Sequence, residues 1–232
     1  MIVVFRNQKN STENDWNDEE LKADCSSLFH YFLPIGSSTD ITIYSPPKNE
    51  VSTEVTSGIL ASGSHYVVVD KSIDDKEYSR QLIFMSNMKA VQSELYYHYS
   101  GGKKKKRVYE MNRLSFDIHR VMAASLLLCP PLSQSPSILI LGLGGGCLPS
   151  FLQFYYPKAI ITAVDIDEEV IRVAKEYFRL NPSIQTVNAD ALTFIKEQEG
   201  KSTYDYIFVD IDSKDPKSSS SFPPMSFLTV YK

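Results

Sequence analysis

Residues 138–147 read ILILGLGGGC, an apolar run that opens into four glycines within five positions. Bare backbone at a strand end is suited to a ligand lying against the main chain, because a Cβ would occupy the approach and because such turns demand φ values other residues avoid. Carboxylates recur downstream at matching points: Asp165 in AVDID, Asp190 in NADALTF, and Asp210, Asp212 and Asp215 in FVDIDSKDP. Asp165 stands nineteen positions past Gly146, about the separation at which an acid on the neighbouring strand reaches both ribose hydroxyls. A helix cap is the plain alternative for Asp165, but Asp167 fills that role; for Asp190, capping the next helix is compatible with a ligand contact.

Several nucleoside ligands compete for this pattern. A nicotinamide dinucleotide calls for G-x-G-x-x-G, yet the sequence gives GLGGGC, with Cys147 in the slot used for close helix packing. A triphosphate calls for Lys and Ser/Thr after the glycines, and neither is present. S-adenosylmethionine fits better, carrying ribose and adenine without phosphates. At the fourth strand, carboxylates can orient an amine opposite a sulfonium, where positioning supplies much of the rate and a negative charge steadies the developing ammonium. Asp210 is the first candidate and Asp212 the second; a hydrated acidic loop is the plain reading of the trio.

These residues need a scaffold, and the chain from Ser137 onward reads as βαβ units. A strand over 138–141, a helix over 147–155 and a strand over 159–165 span about thirty residues. Asp167 then caps a helix with Glu168 and Glu169 in its first turn and with Val170, Ala174, Tyr177 and Phe178 on one face, stopped by Asn181-Pro182. A strand at 184–187, a helix at 191–198 and the apolar strand YDYIFVD at 204–210 complete the run. The alternation predicts a doubly wound parallel sheet of order 3-2-1-4, its fourth strand covered on both faces. Ligands of such sheets sit where winding reverses, here between the first and fourth strands.

Upstream, residues 1–28 are polar and acidic. Residues 29–100 hold short β-like runs, FHYFL, ITIYS, HYVVVD and RQLIFMS, expected to form a small antiparallel module. Residues 101–112 include KKKKR and read as a mobile loop, with a docking or import patch as the alternative. In residues 113–232, NRLSFDIHRVMAASLLL spaces Leu114, Ile118, Val121, Met122 and Ser125 as one helical face, ended by Pro130-Pro131. Met85 to Ser93 is expected to add a strand and a wall to the ligand pocket, with Gln92 as a polar contact. The net charge of -4 argues against nucleic acid as an obligatory partner. No run approaches a membrane span or a secretory signal, which gives a cytoplasmic expectation. Three widely spaced cysteines support neither a disulfide framework nor a metal site.

The motifs GLGGGCLP, VDID, NADALTF and YDYIFVDIDSKDP resemble those of the seven-strand S-adenosylmethionine-dependent methyltransferases, in the spermidine-synthase-like branch. LIFMSNMKAVQSE, the lysine-rich insertion, the His119 helix and DIDSKDP with its following PP narrow the resemblance to the C-terminal domain of the elongation factor 1-alpha lysine and N-terminal methyltransferases. The resemblance implies that Gly142, Leu143, Gly144, Gly145, Gly146, Asp165, Ile166, Asp190, Ala191 and Asp210 hold the cofactor. It also implies methylation of the N-terminal α-amine of elongation factor 1-alpha, or of a lysine, with Asp210 or Asp212 orienting the amine. His119 matches a family position near cofactor or substrate, beside its reading as a structural histidine. Against polyamine synthesis stand Cys147 and Arg120, where the synthases carry acids. The resembled fold has three further strands, so the chain reads as a shortened domain with weak or absent catalysis alone. An aminopropyltransferase, an NAD-binding oxidoreductase and an inactive interaction module remain the alternatives.

Overall fold

The computed structural model describes residues 2–5, 41–44, 52–88, 90–101, 105–128, 134–201 and 203–211. The chain divides into two units, Met1–Glu50 and Val51–Lys232. In the first, β1 (Ile2–Phe5) and β2 (Ile41–Tyr44) pair in parallel, Ile2 opposite Ile41. This corrects the expectation that ITIYS joins the antiparallel module. FHYFL lies outside the described residues.

The second unit holds two sheets. The first is an antiparallel meander of β3 (Ser52–Ile59), β4 (His65–Ser72), β5 (Glu77–Phe84), β6 (Val91–Ser100) and β7 (Lys106–Tyr109), hydrogen-bonded in chain order. It begins and ends later than the sequence suggests. β3, STEVTSGI, is too polar to show a clean alternation, and its outer position leaves three of its first residues exposed. β7 takes in the last two residues of KKKKR, pairing Lys106 with Ser100 and Arg107 with Tyr99. So part of the segment expected to be a mobile loop is an edge strand.

The second sheet is parallel: β8 (Ser137–Leu141), β9 (Ile160–Asp165), β10 (Gln185–Asn188) and β11 (Tyr206–Val209) lie in the order β10-β9-β8-β11. That is the expected 3-2-1-4. β8 occupies the centre because it is apolar on both faces. Ile138 and Ile140 point to a core shared with Leu126, Leu148 and Leu152, while Leu139 and Leu141 point to one shared with Val164, Ala191 and Phe194. β11 departs from expectation, since its Ile207 is 39% exposed.

The helices are α1 (Asp117–Leu128), α2 (Cys147–Tyr155), α3 (Glu168–Tyr177) and α4 (Ala191–Gln198). α1 starts later than the apolar spacing suggests and turns a different face inward. Leu126 and His119 are buried, whereas Ile118 and Val121 are exposed. Apolar spacing marked the helix but not its rotation, because the inward face carries a histidine. α3 matches closely: Asp167 Oδ1 accepts from the Glu169 amide at 3.0 Å, and Val170, Ala174 and Phe178 are buried. The helix stops before Asn181-Pro182, with Arg179 in the left-handed region at φ 58° and the Leu180 amide returning to the Ala174 carbonyl.

The meander shares a core with α3. Tyr66, Val68, Leu82 and Leu95 of the meander pack with Val170, Val173 and Phe178 of the α3 region. At its rim, Asp167 Oδ2 accepts the Ala61 amide at 2.8 Å and the Tyr66 hydroxyl donates to Glu169 at 2.5 Å. No helix among the described residues is long and apolar enough to cross a membrane.

Candidate functional site

The glycine turn leaves the carboxyl end of β8 and becomes the N-terminus of α2. Gly142, Gly144 and Gly146 have φ values of 93°, 53° and 75°, a region that disfavours any side chain. A second demand for glycine differs from the one inferred from sequence. A Cβ on Gly142 would stand 2.2 Å from the Asp210 carbonyl oxygen, one on Gly145 2.8 Å from both Phe178 and Ser93, and one on Gly146 2.5 Å from Leu180. The absent side chains therefore make room for the protein's own β11, meander and α3, which draw tightly around the turn.

What the turn can bind follows from where its amides point. The Gly142 amide donates to the Val164 carbonyl at 2.8 Å and Gly146 to the Leu143 carbonyl at 2.9 Å. Leu143 donates to Asp165 Oδ2 at 3.0 Å, Gly144 also points its amide to that carboxylate, and Gly145 donates to Ser93 Oγ at 2.6 Å. Five successive N–H groups are thus satisfied internally, two of them by an anion. A pyrophosphate is held by just such amides, so here it would have to displace a carboxylate and meet its charge. A ligand with hydroxyls or a positive charge meets no such conflict.

Asp165 also accepts the Asp167 amide at 3.0 Å. Burial raises its pKa, and the amides of Asp167, Leu143 and Gly144 partly offset that. The two carboxylate oxygens keep lone pairs for further donors. The next residue, Ile166, is 61% exposed despite its size, an apolar surface beside the Asp165 carboxylate, of the kind the flat face of a nucleobase can pack on. Asp190 caps α4 through Oδ1, which accepts from the Thr193 amide and hydroxyl, both at 2.9 Å. It lies near Asp165 through the chain, since the Ala189 amide donates to the Asp165 carbonyl at 3.0 Å. Ala191, the first residue of α4, is buried.

On the other side of the turn stands Asp210. Its amide donates to the Leu141 carbonyl at 2.7 Å, and its Oδ2 lies 2.7 Å from Nε2 of His119. Asp212 and Asp215 lie outside the described residues. Thus the turn brings together Asp165 on β9 and Asp210 after β11, two carboxylates flanking one strand end.

Sequence reasoning missed Ser93. It is 3% exposed, donates to the Gln92 carbonyl at 2.7 Å and accepts the Gly145 amide. The meander does wall the turn, but the polar contact to it comes from Ser93 rather than the Gln92 side chain. A small hydroxyl inside QSE gave no signal because its partner lies 52 residues away. Cys147 is held beneath the turn by the same strand, its Sγ 3.4 Å from the Glu94 carbonyl, and burial pushes its thiol up to about 12.

The chain is similar to several known proteins. Residues 119–228 match the spermine/spermidine synthase domain. The eEF1A lysine and N-terminal methyltransferase of Bos taurus is 37% identical over 70% of this chain, and its homolog in Drosophila melanogaster 31% identical over 99%. The chain spans only 28% and 35% of those relatives' lengths. Among solved structures, a probable spermidine synthase from Corynebacterium glutamicum superimposes with a TM-score of 0.55, at 17% identity, over 75% of this chain and 56% of its own, a likeness of fold. Residues 119–228 are thus similar to the spermine/spermidine synthase domain, the fold is like that of a probable spermidine synthase, and the chain is similar in sequence to a part of the eEF1A lysine and N-terminal methyltransferases.

Proposed function

We propose that this protein is an S-adenosylmethionine-dependent protein methyltransferase acting on an amine of elongation factor 1-alpha, the N-terminal α-amine first and a lysine second. The observation that carries this reading is the satisfied glycine turn, whose amides are turned to an anion rather than held out for one. Asp165 would take the ribose hydroxyls, Ile166 the adenine face, and Asp190 and Ala191 the adenine edge. Residues 142–146 would line the amino-acid end. Bound there, the cofactor supplies an electrophilic methyl carbon on a positively charged sulfur.

The chain's own part is to present a nucleophile. An amine reacts only with its lone pair free, aligned with the bond to be broken, so a carboxylate that accepts its N–H fixes direction and steadies the positive charge that grows on nitrogen. Asp210 would take this role, and its position at the strand end beside the turn supports it. Asp212 is the second candidate. The relatives' names support protein methylation over polyamine synthesis, and so do Cys147 and Arg120, which stand where a polyamine site needs anions. The setting is cytoplasmic, with elongation factor 1-alpha as the partner.

Incorporation of labelled methyl groups into a peptide with the N-terminus of elongation factor 1-alpha tests the reading. Slow but detectable transfer is expected for the wild-type chain, with a loss of about 100-fold or more in Asp210→Asn. Equal transfer to a peptide with a blocked α-amine and no lysine, or no effect of the substitution, would refute it.

A further inference from the structure

Asp210 and His119 are 91 positions apart and meet at 2.7 Å. We propose that His119 is a positioning residue for methyl transfer: its Nε2–H holds one oxygen of Asp210 so that the other is left, in a fixed direction, for the acceptor amine. The inference rests on the methyltransferase reading above and extends it to a residue on a separate helix.

The backbone of Asp210 is already fixed. Its amide is bonded to Leu141 and its carbonyl fills the space a side chain at Gly142 would take. What remains is rotation of the carboxylate about the side-chain torsions, the motion that would spoil the direction offered to an amine. Among the described residues, His119 is the group that donates a hydrogen bond to this carboxylate. The imidazole is itself immobile. It is 6% exposed, rooted in α1, and meets the Phe116 ring edge to face at a centroid distance of 5.5 Å. The Asp210 side chain, by contrast, keeps 28% of its surface. The pair is therefore closed at the histidine and open at the carboxylate, as an anchored group facing a ligand must be.

A histidine that merely satisfied a buried polar group would present the same bond, so the two roles are separated by what fails when the bond is removed. A structural histidine would take cofactor affinity and folding down with turnover. A positioning histidine would take kcat alone. Its action needs only an N–H donor at the Nε2 position, so glutamine, which carries one at similar reach, should serve in its place.

The test compares the full-length wild type, His119→Leu, His119→Gln and Asp210→Asn by three measurements. These are S-adenosylhomocysteine affinity by calorimetry, kcat and KM for the elongation-factor peptide, and the imidazole nitrogen–proton correlation spectrum. His119→Leu is expected to keep cofactor affinity within about twofold and to lose about 10- to 100-fold in kcat, the scale of a small misplacement of a reacting group. His119→Gln should recover most of that loss. In the wild type the His119 Nε2–H signal should be shifted downfield and slow to exchange, and Asp210→Asn should displace it. Unchanged kcat in His119→Leu overturns the proposal, as does a His119→Gln protein no better than leucine, or an imidazole signal indifferent to Asp210→Asn. Failure of the wild type to bind S-adenosylhomocysteine and transfer methyl would instead sink the functional reading, and this proposal with it.

Discussion

The two sheets of the second unit bury polar groups in opposite ways. In the meander the buried charges face one another. Arg80, 4% exposed, bonds Asp70 through Nε at 2.8 Å and Nη2 at 2.9 Å and gives Nη1 to the Tyr177 carbonyl at 2.8 Å. Arg107 adds a contact to Asp70 at 3.2 Å while lying 5.1 Å from the Tyr97 ring centre. Every charge there is answered by protein. In the parallel sheet Asp165 and Asp210 sit at strand ends, part-buried, with carboxylate lone pairs beyond those that the protein's donors occupy. The difference separates a scaffold from a site: closed polar networks specify packing, and half-closed ones leave capacity for a ligand.

That contrast can be broken from either side. Arg80→Met would strand Asp70 in the core, and breaking a buried pair by removing one partner costs about 3–5 kcal/mol. Urea unfolding is expected to show that loss, while the folded fraction binds S-adenosylhomocysteine with wild-type affinity. A loss of affinity without a loss of stability would reverse the roles assigned to the two sheets.

Gly142→Ala strikes the turn instead. Left-handed backbone costs an L-residue about 1–2 kcal/mol, and the new methyl must also push away the Asp210 carbonyl. Here stability should fall less than in Arg80→Met, and cofactor affinity much more. Binding equal to wild type would show that the turn is not part of the site.

The smallest effect concerns protonation. Burial raises the pKa of Asp165, and it is the ionised form that accepts hydroxyl donors. Lowering the pH should therefore weaken S-adenosylhomocysteine binding, beginning above the range in which an exposed aspartate titrates. Asp165→Asn should abolish that pH dependence and cost about 1.5–3 kcal/mol at neutral pH, the worth of hydrogen bonds to a charged group. Calorimetry across a pH series checks both.

Much of the parallel sheet was legible because its signals are local. Helices at 147–155 and 191–198 were bounded by glycine, proline and capping aspartate, and the βα alternation dictated the strand order. The glycine turn and Asp165 were visible through their spacing. The remainder was set by contacts distant in sequence. β3 carries STEVTSGI and β7 KRVY, and neither shows an apolar period, since each is an outer strand held by its neighbour's hydrogen bonds. The meander's closed network, the Ser93 clamp and the His119–Asp210 pair all join residues that no local pattern links. α1 shows the limit most directly. Its apolar residues announced a helix, yet Ile118 and Val121 face outward and the histidine faces inward, because that histidine's partner is a carboxylate 91 positions away.

A turn whose amides already answer to the protein's own acceptors should accept a sulfonium nucleoside and reject a pyrophosphate. Calorimetry of the intact chain against S-adenosylhomocysteine and against NAD, repeated with Asp165→Ala, tests it most directly. One-to-one binding of S-adenosylhomocysteine is expected, lost or severely weakened in the variant, with no binding of NAD at the same concentrations. Binding of NAD, or S-adenosylhomocysteine affinity untouched by the loss of Asp165, would contradict it.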